Sequence, residues 1–157
     1  MNNKGEGLYR RSLYTFWKRT APPPSMQTFD APSREVCVLT RAKTNTPLAA
    51  LVLMNDPTFV EAARVFGERI MRQGGNSVNE KLAFAFRSTL ARVPDQAERQ
   101  ILEQIYTKQL ARYLANKQAA ADLIQHGESA VPSDLPVPQL AAWSTVANVL
   151  LNLDEAI

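Results

Sequence analysis

The sequence predicts an all-α fold: a compact bundle of about six helices, with a proline-rich extended N-terminal segment and at most a short strand. Three observations predict it. Apolar residues recur every three or four positions through most of residues 57–151, the spacing of one helix face. Helix-start signatures stand before these runs, such as Thr46-Pro47, Asp56-Pro57 and Ser77-x-x-Glu80. Gly74-Gly75, Pro94 and Gly127 then stop them. At 157 residues and 45% hydrophobic content, the chain has the size and composition of one folded domain, so a single helical domain over 1–157 is expected.

The first pattern is GLYRRSLYTFWKRT. Tyr9, Leu13, Phe16 and Trp17 fall at helical spacing, with Arg10, Arg11, Lys18 and Arg19 mostly elsewhere on the wheel. A basic amphipathic helix is expected, with the aromatic stripe in the core. The alternative is a surface that binds a single-stranded or sulfated polymer by charge and stacking. The prolines of APPPSM remove donors and favour an extended connector. Glu35–Leu39 could pair as a short strand, since Val36 and Val38 are β-branched. Cys37, inside the apolar run VCVL, reads as a small buried hydrophobe. Its neighbours Arg34 and Arg41 keep a reactive thiol open as a second reading.

Asn45-Thr46-Pro47 and Asn55-Asp56-Pro57 place the same device before two runs. The hydroxyl or carboxylate accepts a free helix N–H, and proline at the first helical position loses no hydrogen bond. Leu48–Met54 is apolar nearly all round, so a short buried helix is expected there. In the next helix Phe59, Val60, Ala63, Phe66, Gly67, Ile70 and Met71 form the inner face. Glu61, Arg64, Glu68 and Arg72 are expected outside. Ser77 and Glu80 then form a capping box ahead of Leu82, Phe86, Leu90 and Val93. Asp95–Glu98 starts a long helix carried by Ile101, Ile105, Leu110, Tyr113 and Leu114, with an interruption at Asn116. After the proline-rich loop ESAVPSDLPVP, a strongly apolar helix buries Leu140, Trp143, Val146, Ala147, Leu150 and Leu151.

Several function classes are excluded. A single cysteine forbids an internal disulfide, a Cys-x-x-Cys-His haem attachment and a cysteine zinc cluster. No cofactor is expected in this chain, and no metal ligand is assigned. No stretch approaches the ~20 apolar residues of a membrane span. The net charge of +3 is uneven: residues 1–43 hold eight Lys or Arg and three Asp or Glu, a net of +5, and the rest is −2. The basic segment can pack against the acidic body, or meet an anionic polysaccharide or another domain. No nucleic-acid partner is expected.

The machinery for acid, base or nucleophilic catalysis is thin. His126 is the sole histidine and precedes Gly127 at a helix end, where a cation suits the helix dipole. No Ser-His-Asp set and no Gly-rich phosphate loop is present. The polar candidates for a binding site are Arg11, Arg34, Arg41, Asn45, Asn55 and Asp56, with no catalytic residue among them. Asn45-Thr46 and Asn55-Asp56 flank a helix only ~12–15 Å long, so they meet in one site only if other segments bridge them. Helix caps with a buried hydrogen-bond network are the simpler reading.

Four motifs carry a family resemblance: RRSLYTFWKRTAPPPSM, FDAPSREVC, TNTPLAALVLMNDPTFVEAA and LLNLDEAI. Together they resemble the C-terminal domain of unknown function found in large planctomycete proteins that often also carry a cytochrome-c-like domain. The resemblance spans nearly the whole chain in order. It implies that the chain is the C-terminal part of a longer, exported, multidomain protein, whose upstream domains are its partners. It also implies links to electron transfer and to breakdown of complex polysaccharides, and brings no catalytic residue with it. The expected role is therefore a docking or scaffold module that is not catalytic on its own. A share in a composite active site and binding of sulfated polysaccharide are the alternatives.

Overall fold

The computed structural model describes residues 5–9, 12–18, 20–33, 35–40, 44 and 46–156. Among them are seven α-helices and no strand: α1 (Pro24–Thr28), α2 (Pro47–Asn55), α3 (Pro57–Gln73), α4 (Val78–Leu90), α5 (Gln96–Ala115), α6 (Lys117–Ile124) and α7 (Val137–Leu151). The all-α prediction stands. The chain divides into two units, Met1–Val52 and Leu53–Ile157.

The second unit is built around α7, which packs against α3, α4, α5 and α6. Its inner residues Leu140, Trp143, Val146, Ala147 and Leu150 are fully buried, as their spacing predicts. The Trp143 ring meets Tyr106 of α5 at 4.4 Å between centroids, tilted by 31°. Burial pushes the Tyr106 hydroxyl up, and a hydrogen bond with the Trp143 side chain partly offsets it. α3 supplies Ala63, Gly67 and Ile70 to the same core, and α4 supplies Leu82, Ala85 and Phe86. α3 and α7 approach closely at Gly67. A Cβ built there would lie 2.8 Å from the Ser144 backbone N and 3.1 Å from its Oγ. The Ser144 hydroxyl is buried but satisfied, donating to Leu140 O at 2.7 Å.

The helix starts follow the sequence chemistry. Asp56 Oδ1 accepts the Thr58 N–H at 2.9 Å ahead of Pro57. Ser77 and Glu80 close the expected capping box, and Asp95 and Glu98 close a second. Asn116 ends α5 and caps α6 through its Oδ1, which accepts the Ala119 N–H at 3.0 Å. Gly127 follows α6 at φ +101°, a conformation glycine adopts freely.

Several expectations are corrected. Glu61 and Arg64 of α3, expected outside, are buried. On α5 the expected Tyr113 is buried and Ile105 and Leu110 pack against the core, but Leu102 and Tyr106 join the inner face while Ile101 and Leu114, expected there, are exposed. In the first unit the basic helix is replaced by two 3-10 turns, Gly5–Tyr9 and Ser12–Tyr14. Tyr9, Leu13 and Phe16 are exposed and do not form a core stripe. The connector stays extended to Pro23, where Pro24 opens the five-residue α1 at its first position. Glu35–Thr40 is irregular, with Cys37 exposed. Its loop is closed at the base by Asp30, whose carboxylate accepts the Thr44 N–H at 2.7 Å and the Thr44 hydroxyl at 2.7–2.9 Å. α2 begins as expected, with the Ala49 N–H donating to Thr46 Oγ1 at 3.1 Å. It is not buried, however: Ala49 is its one buried residue, and Leu48, Leu51 and Met54 are about half exposed.

Near the C-terminus Arg92 joins three elements. Its guanidinium donates to both oxygens of Glu98 at 2.7 and 2.8 Å and to Glu155 at 2.8 Å, and it lies 4.9 Å from the Phe86 ring centroid. The Arg92 side chain, and after it the Asp95 N–H, holds the Glu98 carboxyl at about 2. A lowered folded value means this contact stabilises the fold above the unfolded carboxyl range of about 4.3, and its contribution is lost as pH falls from there toward the folded value. The group is solvent-exposed, so salt screens the effect.

Two outcomes follow. Gly67→Ala gains up to ~1 kcal/mol of helix propensity but forces α3 from α7, an overpacking cost of about 1–3 kcal/mol. The thermal midpoint should fall; an unchanged or raised midpoint contradicts the close crossing. In an NMR carboxyl titration Glu98 should titrate well below the ordinary glutamate value, at about 2, and Arg92→Gln should return it toward the ordinary range. A normal Glu98 midpoint in the parent chain would exclude the bidentate contact.

Candidate functional site

Of the six polar residues picked from the sequence, Arg11, Arg34, Arg41 and Asn45 lie outside the described residues. The remaining two, Asn55 and Asp56, stand where α2 gives way to α3. Asn55 is the exposed last residue of α2. Asp56 is partly buried and is the N-cap of α3, with its backbone at φ −66°, ψ 130° and its carboxylate on the Thr58 N–H. The Asp56 carbonyl also accepts the Phe59 and Val60 N–H groups at 3.0 Å. These contacts are those of a helix start: the extended backbone aims the side chain along the helix axis, toward donors the helix leaves open. Asp56 thus serves the second unit as a structural cap.

The best-built polar cluster is one that the sequence reading passed over. Glu61 and Arg64, one turn apart on α3, are 3% and 1% exposed, which makes them part of the interior. Both reach the loop after α6. Glu61 accepts the Glu128 N–H at 3.1 Å through Oε2 and the Ser129 N–H at 2.8 Å through Oε1. Arg64 donates from Nη1 to Ala130 O at 3.2 Å and from Nη2 to Ser129 O at 3.0 Å, and also bonds the Ser129 hydroxyl. A carboxylate therefore holds the amides of the loop and a guanidinium holds its carbonyls. Gly127 completes the clamp, because a Cβ there would overlap the Glu61 carboxylate. A buried loop amide left without an acceptor costs about 1–3 kcal/mol, so the two carboxylate oxygens matter to the local fold.

Chemically the cluster is occupied by its own backbone. Both Glu61 oxygens and both terminal Arg64 nitrogens are engaged, which leaves a substrate no route to them. His126, two residues from the clamp, uses Nδ1 on Asp122 O at 2.7 Å and so serves the exposed C-terminal end of α6. Among the described residues no group of three or more His, Cys, Asp or Glu is gathered in a way that could hold a metal ion. One open concavity lies along α5, lined by Gln100, Glu103, Gln104, Thr107 and Lys108. These residues follow helical spacing along one side of α5, and no second element joins them.

One signal for the clamp was present in the sequence. Val60, Arg64, Gly67 and Met71 are spaced by four, three and four, which places Arg64 on the apolar face of α3. Glu61 lies next to this stripe, and its burial depends on a loop 67 residues further on, which no local pattern reveals.

Comparison with known proteins adds one finding. The model of one family, described as "PSD1: Protein of unknown function (DUF1553)", matches residues 1–106. No curated protein and no solved structure matches the chain. The matched span ends at Tyr106, whose ring meets Trp143 of α7, so helices beyond the span complete the core that its own helices need. With about two thirds of its residues covered by that match, the chain belongs to the PSD1 (DUF1553) family of proteins of unknown function.

Proposed function

We propose that this chain is a non-catalytic helical docking module of a larger, exported, multidomain protein, and that α2 is the surface it docks with. One observation carries the reading: Leu48, Leu51 and Met54, spaced three apart on α2, are all about half exposed. A nine-residue helix with no charged residue and an open apolar stripe has the character of a helix that seats in an apolar groove. Thr44–Asn55 contains no Asp, Glu, Lys or Arg, so apolar contact and not charge pairing is the recognition chemistry.

The polar groups of the second unit support the non-catalytic part of the reading. Asp56 is spent on a helix cap and Glu61 and Arg64 on a loop. A share in a composite active site gains no support from Asp56 in that position. A role in electron transfer or polysaccharide breakdown, and a planctomycete setting, follow only from the resemblance of the four motifs; the companion domains would bring that chemistry.

Amide hydrogen exchange tests the docking surface. The amides of α2 after Pro47 should exchange at least about tenfold faster in this chain alone than in a longer polypeptide that carries its neighbouring domains. Leu48→Glu with Met54→Glu should abolish that difference without lowering the thermal midpoint of the isolated chain. Equal exchange in the two polypeptides excludes α2 as the docking surface.

A further inference from the structure

A different surface carries a second kind of contact. In the first unit Leu13, Tyr14 and Phe16 are exposed, Phe16 by 79%. In the loop closed by Asp30 and Thr44, Val36, Val38 and Leu39 are exposed, Leu39 fully. Both runs have the same arrangement in the sequence. Arg10 and Arg11 precede the first, and Lys18 and Arg19 follow it; Arg34 precedes the second, and Arg41 and Lys43 follow it. Residues 1–43 carry a net charge of +5, and Asp30, one of their three acidic residues, is engaged by Thr44. α2 has exposed apolar residues without charge; these two runs have exposed apolar residues with an excess of cations.

We propose that the Met1–Val52 unit binds the surface of anionic lipid bilayers, inserting Leu13, Phe16 and Leu39 at the headgroup boundary. An exposed Leu or Val gains by leaving water for the acyl boundary, and the basic residues that flank these runs in the sequence gain from headgroup phosphates. Tyr14 suits the same depth, with an apolar ring and a polar tip. A sulfated polysaccharide matches the charge and offers ring faces to Tyr14 and Phe16. It is hydrated along its length, however, and gives Leu13, Val36 and Leu39 no apolar phase. The aliphatic residues are what favour lipid. Among the described residues no helix is long and apolar enough to cross a membrane, so the contact is with the surface. It is independent of the α2 contact, which uses neither these side chains nor charge.

Cosedimentation of the full chain with vesicles tests the assignment. Binding is expected to phosphatidylcholine vesicles containing phosphatidylglycerol and not to phosphatidylcholine alone, and it should fall as salt is raised. Phe16→Ser with Leu39→Ser leaves the net charge unchanged and should weaken binding at least about tenfold, with the circular dichroism spectrum and thermal midpoint retained. Absence of binding to the anionic vesicles overturns the proposal. So does binding that is indifferent to the serine variant, which would be charge alone. Tighter binding to soluble heparin than to vesicles, unaffected by the serine variant, would assign the surface to a sulfated polymer instead.

Discussion

The close approach of α3 to α7 sets the geometry on which the rest of the Leu53–Ile157 unit depends. It exists because residue 67 has no side chain and residue 144 has a small one that satisfies its own hydroxyl. With the two backbones this near at Gly67, α3 packs extensively on α7, and α5 and α6 pack on α7 as well. Trp143 then has a fixed neighbour in Tyr106, and Ile70, Leu82 and Phe86 close the interior. Dense packing of this kind resists small changes in volume, which is why one glycine has more influence than its size suggests.

The polar chemistry of the unit is devoted to holding that geometry. Capping boxes at Ser77 and Asp95 and the caps at Asp56 and Asn116 satisfy helix-end donors. Glu61 and Arg64 satisfy an irregular loop from inside, where unpaired amides and carbonyls would be costly. Each of these groups could in another setting serve a reaction. Here their hydrogen bonds go to the backbone.

Much of the helix punctuation was legible in the sequence because its signals are local. Thr46, Asp56, Ser77, Asp95 and Asn116 mark helix boundaries through bonds that span only two or three residues. Most of the α7 core followed from spacing: Leu140, Trp143, Val146, Ala147 and Leu150 are buried, while Leu151, expected with them, is only partly so. The misread features depend on distant partners. The burial of Glu61 requires Glu128 and Ser129, and the inner face of α5 is chosen by α7. The exposure of α2, Phe16 and Cys37 could not be read because apolar composition shows that a residue gains from cover, without showing that this chain supplies it. Of the proposed site, only Asn55 and Asp56 fall among the described residues, and the cap at Asp56 is the reading its neighbour Pro57 had already favoured.

The chain thus joins a unit with its own dense core to a basic unit whose apolar side chains face outward. Equilibrium urea unfolding of the Leu53–Ile157 piece beside the whole chain tests that division most directly. If α7 organises a self-sufficient core, the piece unfolds in one cooperative transition at nearly the midpoint of the whole chain, with the near-ultraviolet signal of Trp143 intact beforehand. A piece that is molten, or that loses its transition once residues 1–52 are removed, would show that the core lies elsewhere and that the outward-facing residues of the first unit belong to it.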